Sequence, residues 1–258
     1  MTAENPYFTT RIASSESDLQ AAQRLRYRVF VEELGGDGVM VDHANRLERD
    51  SFDDISDHLL LIDKQRPPDD QIVGVYRLLP QDRAEKAGHF YTEGEYDLTP
   101  LRQSGRKLLE LGRSCLAPEY RGGPGVFLLW NGLAEYILTT GAEILFGVAS
   151  FHGTDAAAMA QPLSWLHHHH LAPAAMRPRA RNGGYQRMDL LPADQLNRRE
   201  AMRAMPPLIK AYLRLGCTIG DGAFLDHDFN TTDVLIMIDT ANMSARHRSY
   251  YEERRQQA

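Results

Sequence analysis

The chain has 258 residues, 43% of them hydrophobic and 25% charged, and a formal net charge of −6. That length supports one large domain, or a domain with a substantial extension, without disulfide help. The two cysteines, Cys115 and Cys217, imply no disulfide framework and suit a reducing cytosol. The acidic balance argues against broad nucleic-acid binding, and no apolar run reaches the roughly 20 residues a membrane span needs. The first residues, Met1-Thr-Ala-Glu-Asn-Pro6, lack the basic and apolar regions of a signal peptide. A cytoplasmic protein is expected, soluble or peripheral at the membrane face.

Residues 7–13 read as a short strand, and Ser15-Glu-Ser-Asp18 fits a capping box. A helix is expected from there to about Leu34, with Leu19, Ala22, Leu25 and Val29 at helical spacing, ended by Gly35 and Gly36. Residues 39–57 are acidic and irregular. Strands over 58–63 and 71–79, with Pro67-Pro68 between them, predict a hairpin. Residues 80–105 read as a loop with one short helix, and 107–116 as a central strand. Val126, Leu129, Leu133 and Ile137 give the next segment an apolar helical stripe. A strand over 143–149 completes a strand–helix–strand unit, whose strands should run parallel. Residues 153–170 look helical, and 195–215 predict a helix restarted at Pro206-Pro207. Residues 232–239 form a late strand, and a charged helical tail follows from 245. The alternation predicts an α/β (α+β) chain with a mixed central sheet flanked by helices. The divisions are a core over 7–160, a C-terminal elaboration on the same domain over 161–240 and a tail over 241–258.

The most informative stretch runs from Leu108 to Gly125: a buried strand carrying Glu110 and Arg113, then a glycine-rich loop opening a helix. Backbone N–H groups at such a helix start can hold phosphate. Residues three apart on a regular strand face opposite ways, so Glu110 and Arg113 share a site only if the strand is bulged, which Gly112 permits. A bulge would also free an N–H to polarise a thioester carbonyl. The alternative is a structural Glu–Arg pair. Together these features point to an enzyme taking an acyl group from a pantetheine-type carrier.

Other clusters point less clearly to chemistry. Asp226-His-Asp228-Phe-Asn230 suits a turn or an acceptor-binding role rather than a metal. His167 to His170 are neighbours, which do not converge on one ion in a helix, so no metal site is expected. Cys115 has no local base and reads as a buried structural thiol. Ser150-Phe-His152 lacks the pattern of a nucleophile elbow. Arg177, Arg179, Arg181 and Arg187, extended by Arg198, Arg199 and Arg203, stand out in an acidic chain. They suit docking of an acidic partner, contact with anionic membrane lipid, or a solvated loop.

The loop Arg121-Gly-Gly-Pro-Gly-Val126 resembles the acyl-CoA loop of the GNAT acyltransferases, Arg/Gln-x-x-Gly-x-Gly/Ala. Arg121 matches, whereas Pro124 and Val126 occupy the small-residue positions. Proline removes an N–H from the cradle. A single-phosphate donor, acyl carrier protein with its phosphopantetheine arm, is therefore expected at Arg121, Gly122, Gly123 and Gly125. Upstream, Leu25-Arg26-Tyr-Arg-Val-Phe30, Glu48-Arg-Asp50-Ser-Phe-Asp53, Arg77-Leu-Leu-Pro80 and Glu110-Leu-Gly-Arg113 form an ordered series. It resembles the N-acyl-homoserine-lactone synthases, although Gly36 replaces their tryptophan and the C-terminal third is additional. With Ser150-Phe-His-Gly-Thr-Asp155 and the segment from Tyr212 to Asp233, the chain resembles the L-ornithine Nα-acyltransferases from about Arg11 to Asp239.

That resemblance implies a GNAT-like fold and transfer of a 3-hydroxyacyl group from acyl carrier protein to the α-amine of ornithine, giving lyso-ornithine lipid. Glu110, Arg113, Asp50 and Asp53 are the expected catalytic residues. Arg26, Phe30, Arg77, Asp228 and Asn230 are expected to bind the acceptor. Acyl carrier protein is expected as a co-substrate, with no tightly bound cofactor. Still open are another amine acceptor (homoserine-lactone synthesis, glycine, lysine or glutamine) and a catalytically silent carrier-binding module.

Overall fold

The structure, a computed structural model, describes residues 6–242. Its elements are β1 (Phe8–Ile12), α1 (Glu16–Arg26), β2 (Asp57–Asp63), β3 (Ile72–Pro80), α2 (Gln81–Ala87), β4 (Tyr96–Asp97), α3 (Thr99–Arg102), β5 (Leu108–Leu116) and α4 (Gly125–Thr140). There follow β6 (Ile144–His152), α5 (Ala160–His170), β7 (Arg179–Ala180), β8 (Tyr185–Gln186), α6 (Arg198–Ala204), α7 (Pro207–Arg214), β9 (Thr218–Ile219), β10 (Ala223–Asp226) and β11 (Thr231–Asp239). The helix expected beyond 245 lies outside the described residues. The chain forms two compact units, one of the residues to Ala87 with Leu111–Gly141, the other of Gly88–Glu110 with the residues from Ala142. No described helix is long and apolar enough to cross a membrane.

In the first unit β1, β2 and β3 pair antiparallel, with Arg11 opposite Leu60 and His58 opposite Arg77. Leu59, Leu60 and Leu61 are all buried although successive side chains face opposite ways. Both faces of β2 are therefore covered, which explains its unbroken apolar run. Helix α1 packs on β3, and α4 on β1 and β2. The approach of α4 is close: a Cβ at Gly132 would lie 2.8 Å from Thr10 Oγ1.

The capping box forms only in half. Ser15 Oγ accepts from Asp18 N (3.2 Å), but the Asp18 carboxylate turns to Arg11 and to Ser14 N, one residue before the cap. The helix does run to Leu34, yet Tyr27–Glu33 takes π geometry. Gly35 then ends it with φ +73°.

In the second unit the first residues of β5 pair parallel to β6, Leu108 with Ile144 and Glu110 with Phe146, as the strand–helix–strand reading predicts. β11 pairs antiparallel to β6 from Thr231↔His152 to Asp239↔Ile144, and β10, β8 and β9 extend the ladder. The sheet is thus mixed. Fully buried Tyr96 fastens it, its hydroxyl donating toward Gly222 O (2.9 Å) and Asp233 O (3.0 Å) and accepting from Leu235 N. The 80–105 segment holds two short α-helices rather than one. Helix α5 begins only at Ala160, because Gly153 adopts φ +91° and Asp155 closes a turn on Ala157 N.

Candidate active site

The irregular acidic segment after α1 is the source of the site. Glu48 N donates to Gln23 O, tying the segment to α1. Asp50 Oδ1 accepts from Phe52 N (2.9 Å), and a 3-10 turn follows over Asp53–Ile55. Glu48, Asp50 and Asp53 consequently present their carboxylates to one place, where the last residue of α1, Arg26, meets Arg77 of β3 and Arg113 of β5.

The six side chains form a closed ring of alternating charge. Arg26 donates from Nε to Glu48 and from Nη1 to Asp53 (2.7 Å). Arg113 joins Glu48 (3.0 Å) to Asp50 (3.0 Å), and Arg77 joins Asp50 (2.5 Å) to Asp53 (3.1 Å). Each guanidinium holds two acids and each acid two guanidinium groups, so the ring is neutral. Gln23 Nε2 adds a bond to Asp53 (2.9 Å), and His58 Nε2 donates to the Asp53 carbonyl (3.0 Å). Arg26 Nη2 is buried without a hydrogen-bond partner among the described residues.

Burial pushes the Glu48, Asp50 and Asp53 carboxyls up, but the surrounding guanidinium groups outweigh it and hold all three below their ordinary range. Burial holds the His58 imidazole below its ordinary value. The ring has a closed side and an open one. The side chains of Arg26, Glu48, Asp53 and Arg77 are at most 3% exposed, those of Asp50 and Arg113 18% and 14%. Water and small solutes therefore meet Asp50 and Arg113. Buried ion pairs are weak evidence for stability, but removing one member strands a charge and costs about 3–5 kcal/mol. The ring fixes positions more than it stabilises.

Arg113 sits at φ +50°, a left-handed value uncommon for a non-glycine residue. The break in regular backbone geometry within β5 falls at Arg113 rather than at Gly112. Half-buried Phe30 lies in the π-helical segment, a geometry frequent near functional sites.

Other expected residues stand elsewhere in the fold. Glu110 is buried on β5, and its carboxylate accepts from Tyr91 N (2.9 Å) and Thr92 N (2.6 Å). Asp228 and Asn230 are exposed in the turn joining β10 to β11, which Asp226 closes by accepting from Asp228 N and Phe229 N. In the glycine loop, Gly122 needs its φ of +74°, and a Cβ at Gly125 would meet Tyr120 O at 2.9 Å. Among the described residues, no side chain caps the start of α4. Arg121 is ion-paired with Glu33 (2.5 and 2.7 Å) and donates to Leu116 O.

Cys115 and Cys217 are buried, which pushes both thiols up to about 12 and keeps them protonated. Glu95, Asp226 and Asp233 offer carboxylate oxygens within 4.8 Å of one another in the second unit. Asp226 already closes the turn there, and Asp233 accepts from Thr231 Oγ1 (3.2 Å). Glu48, Gln23 and His58 were not singled out by sequence. For Glu48 a signal existed, since it opens the Glu-x-Asp motif.

A family model described as "Acetyltransferase (GNAT) domain" matches residues 25–131, which include the whole ring. Among solved structures, FeeM, an N-acyl amino acid synthase from uncultured soil microbes, superposes with a TM-score of 0.53 at 12% identity, covering 92% of this chain and 93% of its own. BjaI, a CoA-dependent acyl-homoserine lactone synthase, does so with a TM-score of 0.53 at 15% identity, covering 96% and 88%. At such identities the likeness is one of fold. The fold and family model together define a GNAT-like acyltransferase.

The sequence relatives are closer. An "L-ornithine N(alpha)-acyltransferase" of Rhodobacter capsulatus is 59% identical over 96% of this chain and 95% of its own. One of Brucella abortus is 46% identical over 93% and 87%. The chain belongs to the L-ornithine Nα-acyltransferase family.

Proposed function

We propose that the protein transfers an acyl group from an acyl thioester to the α-amine of L-ornithine, with acyl carrier protein as the donor and lyso-ornithine lipid as the product. The observation that carries this reading is the 59% identity, end to end, with a relative named for that reaction. The ring supports it chemically. An α-amino acid carries an ammonium and a carboxylate on one carbon. Asp50 beside Arg113, at the ring's open side, presents the opposite charges in the same arrangement. Arg26, Arg77 and Asp53 then act as positioning residues that hold this pair.

The reaction needs the amine neutral. Once its proton has left, the nitrogen attacks the thioester carbonyl carbon. The C–N bond forms, the C–S bond breaks, the nitrogen gives up its second excess proton, and the departing sulfur takes up a proton to leave as the thiol. We assign the proton acceptor to Glu110, directly or through water. Phe30, Asp228 and Asn230 are proposed on the acceptor side, and Arg121, Gly122, Gly123 and Gly125 at the phosphopantetheine phosphate. A cytoplasmic location accords with two unpaired, buried cysteines.

Incubating the protein with 3-hydroxyacyl carrier protein and a panel of free amines, with products identified by mass spectrometry, tests the reading. Amide formation on another amine but not on ornithine refutes the acceptor. Carrier binding without any amide favours a silent module. A Glu110→Gln enzyme with full rate across pH removes Glu110 as the base.

A further inference from the structure

Most cations of the described chain have an assigned partner. Within the 177–187 basic segment, Arg179 pairs with Asp221 and Arg187 with Asp189. Arg177 donates to Ala172 O (2.7 Å), and Arg181 to Glu93 O (2.6 Å). These four are occupied within the fold. Helices α6 and α7 differ. The side chains of Arg198, Arg199, Arg203, Lys210 and Arg214 have no ion pair or hydrogen bond among the described residues. The other cations in that condition, Arg24, Lys64 and Lys86, stand singly in α1, after β2 and in α2.

Burial sets the direction of these side chains. α6 buries Ala201 and its cap Met205, while α7 buries Ile209 and Tyr212. The cations take the remaining surface, with Arg199 and Arg203, and again Lys210 and Arg214, four residues apart and so on one helical face. Like charges at that spacing repel, and the acid on α6, Glu200, accepts from Asn197 Nδ2 instead (3.1 Å). The arrangement costs helix stability and has no ion-pair partner among the described residues.

We propose that the exposed face of α6 and α7 is the docking surface for an acidic carrier protein that brings the acyl thioester on its phosphopantetheine arm, an inference that rests on the donor reading above. The chain carries a net charge of −6, so an acidic partner is repelled at long range. Unpaired cations spaced along Arg198–Arg214 offset that repulsion locally and steer the encounter, and arginine forks match carboxylates. A lipid surface fits less well. A membrane-seated amphipathic helix exposes large apolar side chains beside its cations. The exposed large hydrophobics, Tyr7, Leu34, Val39, Met40, Phe127 and Leu138, all lie outside α6 and α7.

The test compares wild type with the fourfold variant Arg199→Glu, Arg203→Glu, Lys210→Glu, Arg214→Glu. The KM for acyl carrier protein should rise about tenfold or more, with kinetics on a free acyl-pantetheine thioester unchanged. Added salt should weaken carrier use by wild type and leave the variant much less affected. Anisotropy of labelled holo-carrier, which needs no turnover, should show the same loss of affinity. Should the reversal lower the melting temperature, the corresponding glutamine variants replace it. Unchanged carrier KM and affinity overturn the proposal. So does loss of sedimentation with phosphatidylglycerol–phosphatidylcholine vesicles while carrier affinity persists, which would give the face to lipid. If wild type makes no ornithine amide with either donor, the proposed reaction fails, and the anisotropy result still decides the docking face.

Discussion

The charge ring of the first unit and the basic face of the second use the same residue type in opposite ways. In the ring, Arg26, Arg77 and Arg113 each hold two carboxylates, and four of the six members are sealed from water. On α6 and α7, five cations have no ion pair among the described residues, and the arginines among them are exposed. The contrast separates two functions of charge. A buried, fully paired array fixes where its open edge lies, which a reaction needs. An exposed, unmatched array orders nothing within the fold and acts at a distance on a partner.

The ring should break hardest at its closed side. Arg26→Ala leaves Glu48 and Asp53 with one guanidinium each and the buried ring with an excess negative charge, and should cost about 3–5 kcal/mol, read from urea unfolding, with activity lost alongside. At the open side the effect should shift from folding to catalysis. Asp50→Asn should lower kcat/KM for ornithine about 10- to 100-fold, mainly through KM, with less loss of stability than Arg26→Ala. Arg113→Lys keeps the charge but cannot fork to Glu48 and Asp50, so steady-state kinetics should show about a tenfold loss.

Acid should expose the same difference. His58 is held below its ordinary value in the fold, so its contribution is full at neutral pH and is lost as pH falls below about 6.5. The depressed Glu48, Asp50 and Asp53 contribute above their ordinary values, and that stability is lost as pH falls below about 4. Melting temperature against pH should therefore decline in two stages. His58→Gln should remove the upper one. The smallest effect on folding should come from the α6–α7 charge reversals, within about 0.5 kcal/mol, although they should raise carrier KM strongly.

Much of this was legible in the sequence where local chemistry decides the outcome. The 58–79 hairpin, the strand over 107–116, the apolar stripe of α4 and the restart at Pro206-Pro207 all have close signals, and the structure shows them. The π segment after Arg26 did not, because the same apolar spacing serves either helix type. The short strands β7 to β10 take their pairing from distant residues. The ordered motifs singled out Arg26, Asp50, Asp53, Arg77 and Arg113, but not that they close into a ring. Closure depends on Glu48 meeting Arg113, 65 residues away. The same limit applies to the basic segments. Sequence alone grouped Arg198, Arg199 and Arg203 with the 177–187 arginines, but not which of them are paired within the fold: Asp221, which occupies Arg179, lies 42 residues on.

The most direct test is mass-spectrometric identification of the product formed from 3-hydroxyacyl carrier protein in a mixture of ornithine, lysine, glycine, glutamine and S-adenosylmethionine. The expected product is a single amide on the α-nitrogen of ornithine, formed more slowly by Asp50→Asn. An amide on another amine, or an acyl-homoserine lactone, with ornithine untouched, would contradict the assignment.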